Sequence, residues 1–223
     1  MSGEAGFIIT VDGPSAAGKG TLARRLAAHF GYDFLDTGTL YRGVGLSVLR
    51  QGLDPADENV ATTAAKALRP EILADPSLRA ETTSSAASKV AAIPSVRAAI
   101  LNWQRDFARN AARNSGGAVL DGRDIGTAVC PEADAKLFIT ASLEARAQRR
   151  LKELQERQLQ RGGETAIYAR VLQDMQERDA RDQGRSISPT KPATDALIID
   201  TSDLSADQVF ERALAFIASR MKA

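Results

Sequence analysis

One cysteine, one histidine and one tryptophan occur in 223 residues. The single cysteine, Cys130, excludes an intramolecular disulfide and suits a reducing cytosol. His29 and Trp103 are assigned to packing or surface rather than to chemistry. Charge of one sign is also missing. Twenty-nine lysines and arginines stand against 28 acids, a net charge of +1, which excludes the overall basic field of a general nucleic-acid binder and makes any phosphate chemistry local. Residues 1–6 carry no basic n-region, and the apolar run that follows at 7–11 is too short to export the chain or to span a membrane. The expectation is a soluble, cytoplasmic protein with no membrane and no nucleic acid among its partners. Internal repeats and low-complexity tracts are absent, since the alanine-rich stretches read as helical bias.

A hydrophobic content of 43% is ample for one α/β domain with insertions. Short apolar runs alternate with helical patterns, which predicts a parallel sheet wrapped by helices. Strands are expected over residues 7–11, 32–35, 118–120, 136–140 and 196–199. Helices are expected over 21–30, 40–51, 57–68, 81–92, 95–114, 143–160, 165–181 and 205–221. The last opens on Ser205-x-x-Gln208, a capping box, and repeats Val209, Phe210, Ala213, Leu214 and Ile217 at helical spacing. Two interruptions fall where parallel-sheet proteins place substrate-closing pieces: a helical insert over residues 52–114 and a tip over 158–164 between two arginine-dense helices.

The run Gly13-Pro14-Ser15-Ala16-Ala17-Gly18-Lys19-Gly20-Thr21 follows the first strand and precedes a helix. Glycines let successive N–H groups point into one concavity, the helix adds its positive dipole end, and Lys19 supplies a mobile cation. The spacing G-x-x-x-x-G-K is that of a P-loop, but the next position holds Gly20, and the hydroxyl comes one residue later at Thr21. Mg²⁺ is therefore expected to be held chiefly by nucleotide phosphates and water, with Thr21 a possible ligand. Three further segments carry charge where core residues would not. In Asp36-Thr37-Gly38-Thr39-Leu40-Tyr41-Arg42, Thr37 reads as an N-cap and Arg42 either faces the cleft or lies exposed on its helix. Asp121-Gly122-Arg123-Asp124-Ile125-Gly126 follows a strand, at the carboxyl end that opens on the ligand crevice. Arg178, Arg181 and Arg185 recur at spacings of three and four beside Asp182, so that one face presents guanidiniums suited to phosphoryl oxygens.

In order and spacing, GPSAAGKGT at 13–21, LDTGTLYR at 35–42, AASKVAAIPSVR at 86–97, DGRDIGTAVCPEA at 121–133 and RDARDQGR at 178–185 resemble one family. It is the nucleoside monophosphate kinases, and within them the bacterial-type cytidylate kinases; the likeness covers nearly the whole chain. The GKGT variant of the loop is typical of kinases that phosphorylate another nucleotide. The resemblance implies a single P-loop kinase domain over 1–223, a five-stranded parallel sheet flanked by helices, a helical acceptor-binding insert and a short lid. It implies transfer of the γ-phosphoryl group of ATP to CMP or dCMP, with Mg²⁺, in a monomer.

Residue by residue, the resemblance implies that the loop amides, Lys19 and Arg149 hold ATP. Arg42, Arg123 and Arg185 would hold the acceptor phosphate. Ser88, Arg97 and Asp124 would read the base, while Arg178 and Asp182 would meet the ribose hydroxyls. Thr37, Tyr41 and Asp121 complete the acceptor set, and Arg181 joins Lys19, Arg123 and Arg185 in the catalytic set. The base assignment is chemically coherent. Cytosine offers an amino donor at N4 and acceptors at N3 and O2; a carboxylate takes the first, and a guanidinium with a hydroxyl serves the others. Uracil would set a carbonyl oxygen against Asp124, and such a mismatch discriminates by up to about 10⁴-fold. Between Leu68 and Ser88 the insert is shorter than in longer relatives, which carry extra strands there. Two other classes are weighed against this one. A GTPase switch would carry an Asn-Lys-x-Asp guanine reader, which the chain lacks. A small-metabolite kinase would have no use for residues suited to a base and a second phosphate.

Overall fold

A computed structural model describes residues 6–156 and 164–222. Five strands, β1 (Phe7–Asp12), β2 (Asp33–Asp36), β3 (Gly117–Asp121), β4 (Ala135–Thr140) and β5 (Leu197–Asp200), form one sheet in the order β2-β3-β1-β4-β5. Every neighbouring pair is parallel; β1 sets Ile9 opposite Val119 on one side and Ala135 on the other. The three interior strands β1, β3 and β4 are the most buried, as expected of strands covered on both faces.

Eight α-helices are described: α1 (Lys19–Phe30), α2 (Gly38–Arg50), α3 (Glu58–Lys66), α4 (Glu81–Val90), α5 (Pro94–Asn114), α6 (Leu143–Glu156), α7 (Glu164–Gln183) and α8 (Ala206–Met221). Helices α1 and α8 cover one face of the sheet through Leu22, Leu26, Val209, Ala213 and Ile217, packed on Ile9, Val11, Leu137 and Ile139. Ala108 and Ala111 of α5 cover the other face, with Ala118 and Leu120 of β3. The capping box of α8 forms as its sequence predicts, with the Ser205 hydroxyl accepting from Gln208 N–H and the Gln208 side chain accepting from Ser205 N–H.

Residues 52–114 are helical throughout their regular structure: α3, two short 3₁₀ turns (Pro70–Ala74 and Pro76–Arg79), α4 and α5. Their core is built with α2 from Leu40, Val44, Val48, Ala61, Val90, Val96 and Ile100. Proline sets the breaks, since Pro94 opens α5 at its first helical position and prolines open both 3₁₀ turns. Helices α6 and α7 pack on each other through Ala147, Leu154, Val171 and Met175. The tip expected over residues 158–164 lies, apart from Glu164, outside the described residues, as does the last part of the helix expected to run to residue 160.

Two local expectations are corrected. Thr37 occupies the N-cap position of α2, but its hydroxyl caps nothing; it donates to Asp121 O at 2.8 Å and so ties α2 to the end of β3. Helix α2 also starts at Gly38, two residues before the expected residue 40, because that cross-link orders a segment whose composition reads as a turn.

Candidate active site

The carboxyl ends of β1, β2 and β3 open on a cavity of about 590 Å³. Ten cationic side chains and six carboxylates line it, so the cavity carries the anion-attracting charge that the whole chain lacks. The loop between β1 and α1 forms its floor. Gly13 has φ +139° and lies so close to Ile139 that a Cβ there would sit 1.9 Å from the Ile139 carbonyl oxygen; only glycine fits. Ala16 (φ 59°) and Gly18 (φ 95°) complete the reversal that turns the loop amides inward. Ser15, Ala16, Gly18, Lys19, Gly20 and Thr21 face the cavity, while Gly13 and Pro14 support the loop from behind.

Lys19 is 5% exposed and its Nζ donates to Pro14 O at 2.7 Å. Burial, reinforced by the Arg123 charge, pushes its ammonium down to about 7. Asp121 is buried beside it, and burial pushes that carboxyl up to about 6 against the pull of Lys19. Its Oδ2 lies 3.2 Å from where a Cβ on Gly20 would stand, so the glycine that replaces the usual hydroxyl residue makes room for this carboxylate.

A cationic cluster faces the loop. Arg42 lies 3.9 Å from Asp36. Arg123 donates from Nε to Asp182 at 3.2 Å and from a terminal nitrogen to Gly122 O at 3.1 Å. Arg185 pairs with the other oxygen of Asp182. Asp182 is buried, yet the guanidiniums of Arg123, Arg185 and Arg178 hold its carboxyl below the usual range. Among the described residues no carboxylate pairs directly with Arg178; burial and the adjacent Arg123 lower it to about 10. The Nε atoms of Arg178 and Arg185 are buried with no hydrogen-bond partner among the described residues.

At the opposite end, Arg97 of α5 and Asp124 form a buried ion pair, with Asp124 only 4% exposed. Arg97 also donates to Ala91 O at 3.2 Å and lies over the ring of Tyr41, 5.5 Å from its centroid. Burial pushes the Tyr41 hydroxyl up to about 12, so it is a neutral wall. Ser88 stands beside them with its buried hydroxyl unpartnered. A carboxylate, a guanidinium and a hydroxyl thus converge in one corner of the cavity.

Of the residues predicted from sequence, only Arg181 in the phosphate cluster is not brought to the cavity. Its Nε donates to Glu177 O one turn back along α7 at 3.2 Å. Arg185, two residues beyond the end of α7, reaches the cavity together with Arg178. Arg149 lines the cavity and also a smaller one of about 170 Å³ on the far side of the loop, walled by Leu22, Leu204 and Val209. There it donates to Thr201 Oγ1 at 2.9 Å, and the Thr201 hydroxyl donates in turn to Ala17 O at 2.9 Å, fixing the loop to the end of β5. Sequence reasoning missed Asp36, Thr201 and Asp12. The last could have been found as a carboxylate closing a largely apolar strand.

No group of three or more metal-ligating acids, histidines or cysteines occurs among the described residues. The oxygen donors present beside Lys19, namely the Asp121 and Asp36 carboxylates and the Thr21 hydroxyl, suit a hard divalent cation that keeps most of its waters.

A glycine-rich loop beneath a cavity with a second cationic cluster, at the carboxyl edge of a five-stranded parallel sheet, defines a P-loop phosphotransferase of the nucleoside monophosphate kinase fold. A family model described as cytidylate kinase matches residues 9–219. A protein named cytidylate kinase from Paramagnetospirillum magneticum is 59% identical over 213 residues, which cover 96% of this chain and 98% of that protein. Another of the same name, from Rhodospirillum rubrum, is 53% identical over 214 residues, with 96% and 98% covered. The crystal structure of an uncharacterized protein from Eubacterium ventriosum superposes with a TM-score of 0.52 at 13% identity over 96% of this chain and 98% of that one, a likeness of fold alone. The chain belongs to the cytidylate kinase family.

Proposed function

We infer that this chain transfers the γ-phosphoryl group of ATP to CMP or dCMP, giving ADP and CDP or dCDP, in one in-line displacement. The observation that carries this reading is the buried Arg97–Asp124 pair with the unpartnered Ser88 hydroxyl, set in the same cavity as the phosphate loop. Asp124 accepts from the cytosine N4 amino group; Arg97 and Ser88 donate to N3 and O2. A uracil carbonyl in that place faces a buried carboxylate and is repelled.

ATP lies along the loop with its phosphates on the amides and Lys19, and its base in the apolar cavity between Leu22, Leu204 and Val209, beside Arg149. Phosphate binding draws Lys19 Nζ from Pro14 O. Arg42, Arg123 and Arg185 hold the CMP phosphate, and Asp182 with Arg178 meets the ribose. Asp182 also holds Arg123 and Arg185 in place, each on a different oxygen. An oxygen of the CMP phosphate attacks the γ-phosphorus while the bond to the β,γ-bridging oxygen breaks, and that oxygen leaves with ADP. The transferring group carries charge on its equatorial oxygens, and Lys19, Arg123, Arg178 and Arg185 surround that position. Mg²⁺, when bound, would be held by the phosphates, water and the oxygens of Asp121, Asp36 or Thr21, and would supply further neutralisation. ATP as donor supports a cytoplasmic location, and no described helix is long and apolar enough to cross a membrane.

A coupled ADP-release assay with CMP, dCMP, UMP, AMP, shikimate and no acceptor tests the reading. Turnover with CMP and dCMP well ahead of the rest is expected. ATP hydrolysis indifferent to acceptor, or activity with UMP alone, would overturn it.

A further inference from the structure

We propose that Asp12, together with Arg105, is a positioning residue for recognition of the acceptor base, acting by clamping the turn that carries Asp124. The proposal rests on the assignment of Asp124 and Arg97 to the base.

Asp12 is the last residue of β1, next to the phosphate loop, and is 5% exposed. Its Oδ1 accepts from Ile125 N–H and its Oδ2 from Gly126 N–H, both at 2.8 Å. These are the two amides that follow Asp124. They begin a single π turn (Ile125–Val129), closed by Val129 N–H to Asp124 O at 3.3 Å and Cys130 N–H to Ile125 O at 2.7 Å. A π turn is rare and marginal by itself, and such turns gather at functional sites. This one is held from both ends. Arg105 of α5 donates from Nε to Val129 O at 2.9 Å and from Nη2 to Ala128 O at 3.1 Å, satisfying the carbonyls at the turn's far end. Gly126 leaves no slack on the sheet side, since a Cβ there would lie 2.8 Å from Thr10 Oγ1.

The geometry has a consequence for specificity. Arg97 and Arg105 both belong to α5, so the helix that delivers Arg97 to Asp124 also grips the turn on which Asp124 stands. Asp12 ties the same turn to the root of the phosphate loop. Two parallel N–H donors need two acceptor oxygens, which a carboxylate offers and a carboxamide of the same size does not. Asp12 therefore sets where the Asp124 carboxylate stands relative to the loop, without touching either nucleotide. None of the described contacts gives it another task.

The test compares wild type, Asp12→Asn and Arg105→Gln for kcat and KM with CMP, UMP and ATP. In both variants the KM for CMP is expected to rise and the CMP:UMP ratio of kcat/KM to fall by about tenfold, part of the roughly 100-fold that a 1 Å misplacement can cost. The KM for ATP is expected to change by less than about twofold. The ratio does not depend on the fraction of folded enzyme, so a destabilised preparation still reports, and Arg105→Gln attacks the turn from its more exposed end. A CMP:UMP ratio unchanged in both variants, whatever their Tm, would overturn the proposal. So would a rise in the KM for ATP equal to that for CMP with the ratio kept, which would place Asp12 with the donor loop alone. Wild type run alongside separates the two levels: if it does not prefer CMP to UMP, the base assignment itself fails, whereas a wild-type preference retained by both variants removes only the clamp.

Discussion

Replacing Asp124 by Asn keeps the size of the side chain and removes its charge from a site where that charge has two partners. One is Arg97, paired with it directly; the other, in the proposed complex, is the cytosine amino group. The carboxamide has a single oxygen. If that oxygen accepts from Arg97, the NH₂ group faces the base edge and opposes the N4 amino group. If the amide turns over, its NH₂ opposes Arg97. A hydrogen bond to a charged group contributes about 1.5–3 kcal/mol, so its loss should lower kcat/KM for CMP by roughly 10- to 100-fold. For UMP the change has the opposite sign: repulsion of the O4 carbonyl is lifted, and the NH₂ group can donate to it. A gain of up to about tenfold for UMP is consistent with one neutral hydrogen bond of roughly 1 kcal/mol. Together these shrink a discrimination of about 10⁴-fold by roughly one to three orders of magnitude. The assay is coupled ADP release with each acceptor at saturating ATP, with a thermal melt to show that the variant folds. Arg97 keeps its bond to Ala91 O and its place over Tyr41, which limits the cost in stability. A CMP:UMP ratio equal to that of wild type would remove Asp124 from base recognition.

Another consequence follows from a group held away from its ordinary charge state. Because burial and Arg123 lower Lys19 to about 7 in the free protein, it is mainly neutral at pH 8, and bound triphosphate should draw a proton onto it. Calorimetry of ATP binding in buffers of different ionisation enthalpy should show that uptake, and Lys19→Met should abolish it; equal heats in all buffers would refute the assignment. Gly13→Ala should cost at least about 4 kcal/mol or prevent folding, because its Cβ meets the Ile139 backbone at 1.9 Å. Gly52→Ala, at φ +70° with nothing within 4 Å, should cost only about 1 kcal/mol. Similar costs for the two, measured by urea unfolding, would contradict the packing argument.

Much of this was legible in the sequence because it is local. The P-loop, the capping box of α8 and the five short apolar runs each announce themselves within a dozen residues, and β1, β3 and β4 lie within a residue or so of their expected bounds. What escaped depends on partners far along the chain. Thr37 looks like a cap until Asp121, 84 residues away, takes its hydroxyl. Asp12 looks like the polar end of a strand until amides 113 and 114 residues later converge on its two oxygens. Arg181 shares the charge of Arg178 and Arg185, but a three-residue step along α7 turns it about 60° from Arg178, and its Nε donates back to Glu177 O instead. The glycine in place of the usual loop hydroxyl was visible at once. Its physical reason, the Asp121 carboxylate resting against it, was not.

The most direct measurement puts γ-³²P-labelled ATP, CMP and UMP with the protein in one tube, the two acceptors at equal concentration, and separates the products. The ratio of labelled diphosphates then reports the ratio of kcat/KM directly. The account predicts label in CDP, with UDP below about 1% of it. Equal label in CDP and UDP, or label released mainly as inorganic phosphate, would contradict it.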